Sequence, residues 1–558
     1  MSILSMRVSR LAAISVCGSI AFLTGVSSCQ QVETTLLRKD IKNVVVIYAE
    51  NRSFDNLFAN YPGANGLPVP SHESLQTDRD ANNTVLPKLP QTWGGVTAAG
   101  QNVAVTQAQS DNLPDAPYSL EQTYPGLNAQ TVTRDLYHLF FQNQMQIDGG
   151  KNDKFAAWGD SGGLVMGYFD YSQSKLWDLA RHNVLADNFF QAAFGGSFLN
   201  HQYLICACAP SYPNADTAAA KPTIAVLDDT AAVKPQLKLK DVCPVGTPVG
   251  PQSSCSPASA LDGPPSFVLS GAVAPKDYFG AGDGFRAVNT MAPPYQPSFI
   301  APAGDDTTHL YANPASGSVL PPQTATTIGD LLDAKHVTWA WYTGAWNQAV
   351  AATTAATYSQ PPANNAGNPP PVAPTFQYHH QPFNYYAEFD PGTSAGQAAR
   401  AAHLKDYTDL VTAAENGTLP QVVFYKPEGD LNQHPGYTNV SNFDDHVAGL
   451  VAKLQASPQY KNMMIVITYD EFGGQWDHVA PPTGDLLGPG TRIPAIIVSP
   501  YAKAGKVDHM QYDTGSILRF ITRVFDLETL PGIRLRDQQL KAHREDPMGD
   551  LTAALDLL

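Results

Sequence analysis

Two short apolar runs constrain what this chain can fold into. One, at 463–467, opens the stretch MMIVITYDEFGGQWDH; the other, Asn43–Ala49, reads NVVVIYA. Both are rich in β-branched residues and almost uninterrupted, as strands buried on both faces are. The first leads into Asp470-Glu471 and breaks at Gly473-Gly474; the second leads into Glu50-Asn51. In open α/β sheets, ligands sit just beyond the carboxyl ends of the strands. Two adjacent carboxylates there are costly unless something positive sits on them. Either strand alone is equally well explained by an acidic residue opening the next loop. Together they predict one sheet edge where Glu50, Asn51, Asp470 and Glu471 offer oxygen ligands to a divalent cation: calcium, magnesium, manganese or zinc.

Further apolar runs predict strands at 184–188, 336–342, 419–425 and 492–499, and helical spacing predicts helices at 176–182, 328–332, 442–455 and 514–525. Ser53 and Asp513 or Thr514 are placed to cap helices. This alternation implies an α/β fold with a largely parallel central sheet flanked by helices. A helix is also predicted over 131–146, carrying His138, which taken alone reads as a packing or surface residue. The Gly-, Pro- and Asn-rich stretch 62–117 reads as a long surface excursion. Phe194-Gly195-Gly196-Ser197 has two readings. Ser197 is either a helix N-cap after a glycine turn or a nucleophile with room for substrate at a helix N-terminus. His379 and His380 are adjacent, so both can face one site only from a loop, which the nearby prolines supply. His434 lies in the loop after the 419–425 strand.

The formal net charge of −16 argues against a nucleic-acid-binding surface, which needs clustered Lys and Arg. The 45 prolines and 43 glycines imply long loops, and 10% aromatic content argues that those loops are ordered. Arg7 and Arg10 precede an apolar stretch at 11–26 that is too short and poorly flanked to span a membrane, so 1–28 reads as an export signal. Val26-Ser27-Ser28-Cys29 resembles a bacterial lipoprotein processing site, which makes Cys29 an outer-membrane lipid anchor. The alternative is ordinary cleavage with periplasmic or secreted release. Residues 29–41 are then a lead-in or linker. Cys206, Cys208, Cys243 and Cys255 imply two disulfides in an exported chain. Cys206 and Cys208 are too close to prefer each other, so each is expected to reach Cys243 or Cys255. Those bonds would staple a loop-rich insertion at about 210–323 within a domain spanning 42–530, followed by a polar tail at 531–558.

The motifs NVVVIYAENRSFD from Asn43, YDEFGGQWDHVAPP from Tyr469, RIPAIIVSPY from Arg492 and YDTGSILRFI from Tyr512 resemble the bacterial phosphoesterase family. That family joins phosphocholine-type phospholipases C with exported acid phosphatases on an alkaline-phosphatase-like fold. The resemblance implies a phosphate-ester substrate, Glu50, Asn51, Asp470 and Glu471 as ligands of one metal ion, and Ser197 as nucleophile. It places His138, His379, His380 and His434 around the phosphate. Asp470-Glu471 is usual among the phospholipase-like members, where the phosphatases have two aspartates. His201, where phospholipases have Arg, and a chain that ends soon after the core lean toward acid phosphatase. Phospholipase C or another phosphodiesterase is the alternative. A catalytically inactive exported binding lipoprotein is the rival of another class, which an intact ligand set opposes. Several histidines about one phosphate imply an acidic optimum.

Overall fold

The computed structural model describes residues 26–68, 75–80, 82–213, 237–239, 243–244, 254–269, 285–297, 308–317, 319–351 and 376–557. Most of the expected signal segment, 1–25, and much of the expected insertion lie outside these.

One eight-stranded sheet organises the chain. Its strands are β1 (Asn43–Ala49), β2 (Val184–Ala186), β3 (Trp339–Thr343), β4 (Leu404–Asp406), β5 (Val422–Lys426), β6 (Met463–Tyr469), β7 (Ala495–Val498) and β8 (Lys506–Asp508). They lie in the order β8-β2-β7-β6-β1-β5-β3-β4. Only β7 runs against its neighbours β6 and β2; the other pairings are parallel. Every residue of β1 and β6 is buried, as two continuous apolar runs at the centre of a covered sheet must be. Two groups of helices flank the sheet. One contains α2 (Lys175–His182) and α4 (Val440–Ala456); the other contains α1 (Val26–Asp40), α3 (Ser197–Cys206) and α5 (Thr514–Phe525). Asp513 caps α5 by accepting from the Ser516 N–H, and Ser53 caps the short helix Phe54–Phe58 by accepting from the Asn56 N–H. Among the described residues, no helix is long and apolar enough to cross a membrane.

Four expectations are corrected. The helix predicted over 131–146 begins only at Phe140, with Leu139 as its N-cap, so His138 lies ahead of the helix. The turn at Gly195 is the reason: a Cβ on Gly195 would lie 2.2 Å from the Phe140 nitrogen, so the two backbones pack against each other. The stretch 62–117 is no mere surface excursion, because Leu86, Leu89 and Val96 are buried in the main core. The polar tail carries a helix, α6 (Pro531–His543), whose buried Arg536 pairs with Asp485 at 2.8 Å and Asp513 at 2.6 Å. The disulfides join Cys206 to Cys208 and Cys243 to Cys255. Ala207, left-handed at the end of α3, folds the chain back so that the Cys206 and Cys208 Cα atoms stand 5.1 Å apart. Sequence proximity there favours the bond that it was expected to disfavour.

A buried arginine locks the loop after β6. Arg492 is fully buried and pairs with Asp55 at 3.0 Å and Asp477 at 2.9 Å. His478 approaches Asp55 at 2.7 Å. Asp55, Asp477 and His478 have the spacing of a metal site, but the guanidinium already neutralises it. Arg492→Met removes the cation that two buried carboxylates share and is expected to cost about 3–5 kcal/mol of stability, read from denaturant unfolding.

Candidate active site

Strand register brings the acidic ends together. Ala49 pairs with Tyr469, so Glu50-Asn51 and Asp470-Glu471 leave the sheet as neighbours. The Asp470 N–H donates to the Ala49 carbonyl at 3.0 Å, and the Arg52 N–H to the Glu471 carbonyl at 3.0 Å. Asn51 adopts φ 62°, which Asn tolerates better than most residues, and its N–H donates to Asp470 Oδ1 at 3.1 Å. The Glu471 N–H donates to the same oxygen at 2.7 Å. Gly473, at φ 63°, donates its N–H to Glu471 Oε2 at 2.6 Å, and a Cβ there would meet the Asn51 carbonyl at 2.3 Å. Gly473→Ala is therefore expected to displace Asn51 and Glu471. It should cost about 1–3 kcal/mol of strain and most of the turnover, checked by unfolding and rate measurements on one preparation.

Ser197 enters from the other side of the edge. Gly196, not Ser197, is the N-cap of α3. The Ser197 hydroxyl donates to Asn51 Oδ1 at 3.3 Å and lies 3.5 Å from Glu471 Oε1. The buried Asn200 amide laces the preceding turn through the carbonyls of Ala193, Gly195 and Gly196. Gln191 ties that turn to the loop after β6, accepting from the Phe472 N–H at 2.8 Å and donating to the Ala193 carbonyl at 2.8 Å.

The four acidic-edge residues divide into two groups. Asn51, Asp470 and Glu471 converge on Ser197. Glu50 turns to the histidines: Oε1 accepts from His380 Nε2 at 2.6 Å and from the Lys426 ammonium at 3.2 Å, and lies 3.8 Å from His379 Nε2. Its Oε2 accepts from Asn432 and from the Tyr437 hydroxyl, the latter at 3.1 Å. Lys426 bridges the groups, 3.8 Å from Asp470 Oδ2.

The histidines surround the same point. His138 Nε2 stands 3.4 Å from Asn51 Nδ2 and 3.7 Å from Glu471 Oε1. Its ring meets that of His434 at 5.7 Å between centroids, and His434 stacks on Tyr437 at 4.4 Å. Nδ1 of His138 donates to the Leu136 carbonyl, and Nδ1 of His434 to the Pro435 carbonyl, leaving Nε2 of each to exchange protons. His379 and His380 sit on a single 3-10 turn, Tyr378–His380, as their adjacency requires. The buried His201 donates Nδ1–H to the Ser197 carbonyl at 2.7 Å and stacks on His380 at 5.6 Å. A cavity of about 200 Å³ opens between Ser197, His138, His379 and His434, walled by Val288 and Asn289 from the expected insertion.

The donor set suits a hard cation. Asp470 Oδ2 is buried without a hydrogen-bond partner among the described residues. Burial lifts the Asp470 carboxyl to about 6, and burial together with Asp470 lifts Glu471 well above the carboxylate range. A cation held between these two carboxylates would offset that cost of burial. Asn51 Oδ1, Asp470, Glu471 Oε1 and Ser197 Oγ are all oxygen donors. Glu50 behaves differently: burial raises it, but His380 and Lys426 outweigh burial and hold it well below the usual range.

Lys426, Asn432, Tyr437 and Gln191 were not expected from the sequence. Lys426 carried a readable signal, since it ends β5 level with the ends of β1 and β6, and its Nζ donates to the Ala49 carbonyl at 3.3 Å.

The model of the Phosphoesterase family matches residues 41–528. The non-hemolytic phospholipase C of Burkholderia pseudomallei is 29% identical over 207 residues, 31% of this chain and 29% of that protein. Non-specific phospholipase C6 of Arabidopsis thaliana is 30% identical over 147 residues, 21% of this chain and 28% of that protein. The matched stretches thus span under a third of these relatives' lengths. Among solved structures, a protein in the alkaline phosphatase superfamily from Vibrio parahaemolyticus aligns over 77% of this chain and 74% of its own, at 9% identity and TM-score 0.28.

Proposed function

Because this chain belongs to the Phosphoesterase family, we propose that it hydrolyses phosphate monoesters through a phosphoserine on Ser197. The observation that carries this reading is the convergence of the Ser197 hydroxyl with Asn51, Glu471 and His138 at the mouth of one small cavity. Asn51, Asp470 and Glu471 would hold a divalent cation beside Ser197. When bound, the ion supplies a Lewis acid that lowers the pKa of the serine hydroxyl and offsets phosphoryl charge. Ser197 Oγ attacks phosphorus in line, and the bond to the leaving alkoxide breaks. His138 or His434, through Nε2, gives that alkoxide a proton and afterwards takes one from the water that cleaves the phosphoserine. His379 stands where it can donate to a phosphoryl oxygen.

Burial holds both His138 and His434 below the ordinary imidazole value of about 6.5. Their protonated forms are therefore populated only on the acid side, and activity should fall as pH rises through that region. An optimum above neutral would contradict the assignment.

Phospholipase C is the second reading, favoured by the relatives' activity. The cavity weighs against it. About 200 Å³ lies below the range of drug-sized ligand sites, which suits a small monoester better than a phospholipid headgroup diester. Comparing p-nitrophenyl phosphate with p-nitrophenyl phosphorylcholine separates the two: turnover of the monoester alone supports a phosphatase, and preference for the choline diester moves the chain to the phospholipase branch. Export through 1–28, with Cys29 as lipid anchor, is proposed on sequence pattern. A Cys29→Ser variant released from the membrane fraction would support the anchor.

A further inference from the structure

Glu50, His379 and His380 are buried, and each offers a ligand atom within 4.8 Å of the others. Two imidazoles and a carboxylate are the donor set that zinc and related transition metals take. Both ring nitrogens of His379, Nδ1 of His380 and Oδ2 of Asp470 lie buried without a hydrogen-bond partner among the described residues. His379 Nε2 is aimed at Glu50 Oε1 from 3.8 Å, and that side chain is 7% exposed. Against this cluster lies the fully buried Lys426 ammonium, 3.2 Å from Glu50 Oε1 and 3.8 Å from Asp470 Oδ2. The lysine comes from the strand beside β1, and its stem lies against the Tyr48 ring with Nζ 5.7 Å from the ring centre. Its place is therefore fixed by the sheet rather than by a loop.

We propose that Lys426 takes the place of a second metal ion, closing a latent His–His–carboxylate site at Glu50, His379 and His380. A fixed monovalent cation neutralises Glu50 and Asp470 at a point where a divalent one would otherwise settle. It leaves the imidazole of His379 free for a phosphoryl oxygen instead of committing it to a metal. It also repels any ion that approaches Glu50, so a cation held by Asn51, Asp470 and Glu471 has no neighbour. This deepens the reading of the same site given above and rests on it for the first ion alone.

The test is metal content, measured by elemental analysis after equilibration with zinc and gel filtration. It compares wild type, Lys426→Ala and Lys426→Met, each alone and combined with His379→Ala. Methionine keeps the length of the stem without its charge, so it guards against collapse of the alanine variant. Removing the ammonium leaves Glu50 with His380, Asn432 and Tyr437 as partners but without a fixed cation, and the variants should bind one zinc per chain more than wild type. That extra equivalent should disappear when His379→Ala is added. It should also raise the thermal midpoint of the Lys426 variants, as a ligand of the folded state does. Wild type at one ion and the variants at two is the expected result. Wild type at zero and the variants at one, lost with His379, would overturn the first-ion reading and leave this inference standing. Equal content in wild type and variants, or two ions already in wild type, would overturn it. So would variants that zinc present throughout expression and purification fails to keep folded.

Discussion

Ser197→Ala is expected to lower turnover of p-nitrophenyl phosphate by about 10⁴-fold or more, the scale on which loss of a covalent nucleophile is felt. The change removes one oxygen from the first turn of α3 and leaves its surroundings in place. The cap is Gly196, and the turn before it is held by Asn200 and Gln191, so neither depends on the hydroxyl. The unfolding midpoint should therefore stay close to wild type. Loss of activity with an intact fold assigns the oxygen to chemistry. Retained activity would return Ser197 to an ordinary residue at a helix start.

Asp470→Asn is the second large effect. Asp470 Oδ1 accepts from two backbone N–H groups, of Asn51 and Glu471, while Oδ2 faces Lys426 without a hydrogen bond. An amide oxygen can keep the first pair, but the charge that holds a cation is gone. Turnover should fall by about 10³-fold or more, matching the several kcal/mol that a Lewis acid contributes. Dialysis of wild type against a chelator should have the same effect and be reversed by adding back one of calcium, magnesium, manganese or zinc. The variant should not recover. Activity indifferent to chelator, in a sample shown to be metal-free, would remove the cation from the reaction.

The parts of this site that could be read from the sequence are those carried by continuous strands. The runs at β1 and β6 are apolar on both faces, and a strand of that kind has only one place in an α/β fold. Its carboxyl end then fixes where Asn51 and Asp470 must emerge. His138 was legible as a site residue only through family resemblance, because its surroundings are set by a distant contact. The apolar spacing over 131–146 suits a helix, yet the Gly195 turn packs on the backbone at Phe140 and keeps His138 ahead of the helix. The Cys206–Cys208 bond is not legible in the sequence because two cysteines so close on a chain that runs straight on do not pair. One left-handed residue, Ala207, turns the chain back and brings them together. Lys426 is not legible as a site residue because a cation does not fit the pattern of oxygen ligands at a strand end. Only the register of β5 against β1 shows that its ammonium lands between Glu50 and Asp470. The same contact explains why Glu50, expected beside Asp470 and Glu471, turns toward His380.

The covalent intermediate is the most direct point of attack. Wild-type protein would be mixed with p-nitrophenyl phosphate at acidic pH, quenched in acid within the first turnovers, digested, and its peptides mapped by mass spectrometry. Phosphate on the peptide carrying Ser197, absent from the Ser197→Ala protein and from the unmixed control, is the expected result. Steady release of p-nitrophenol with no phosphate on Ser197 at any quench time would contradict it.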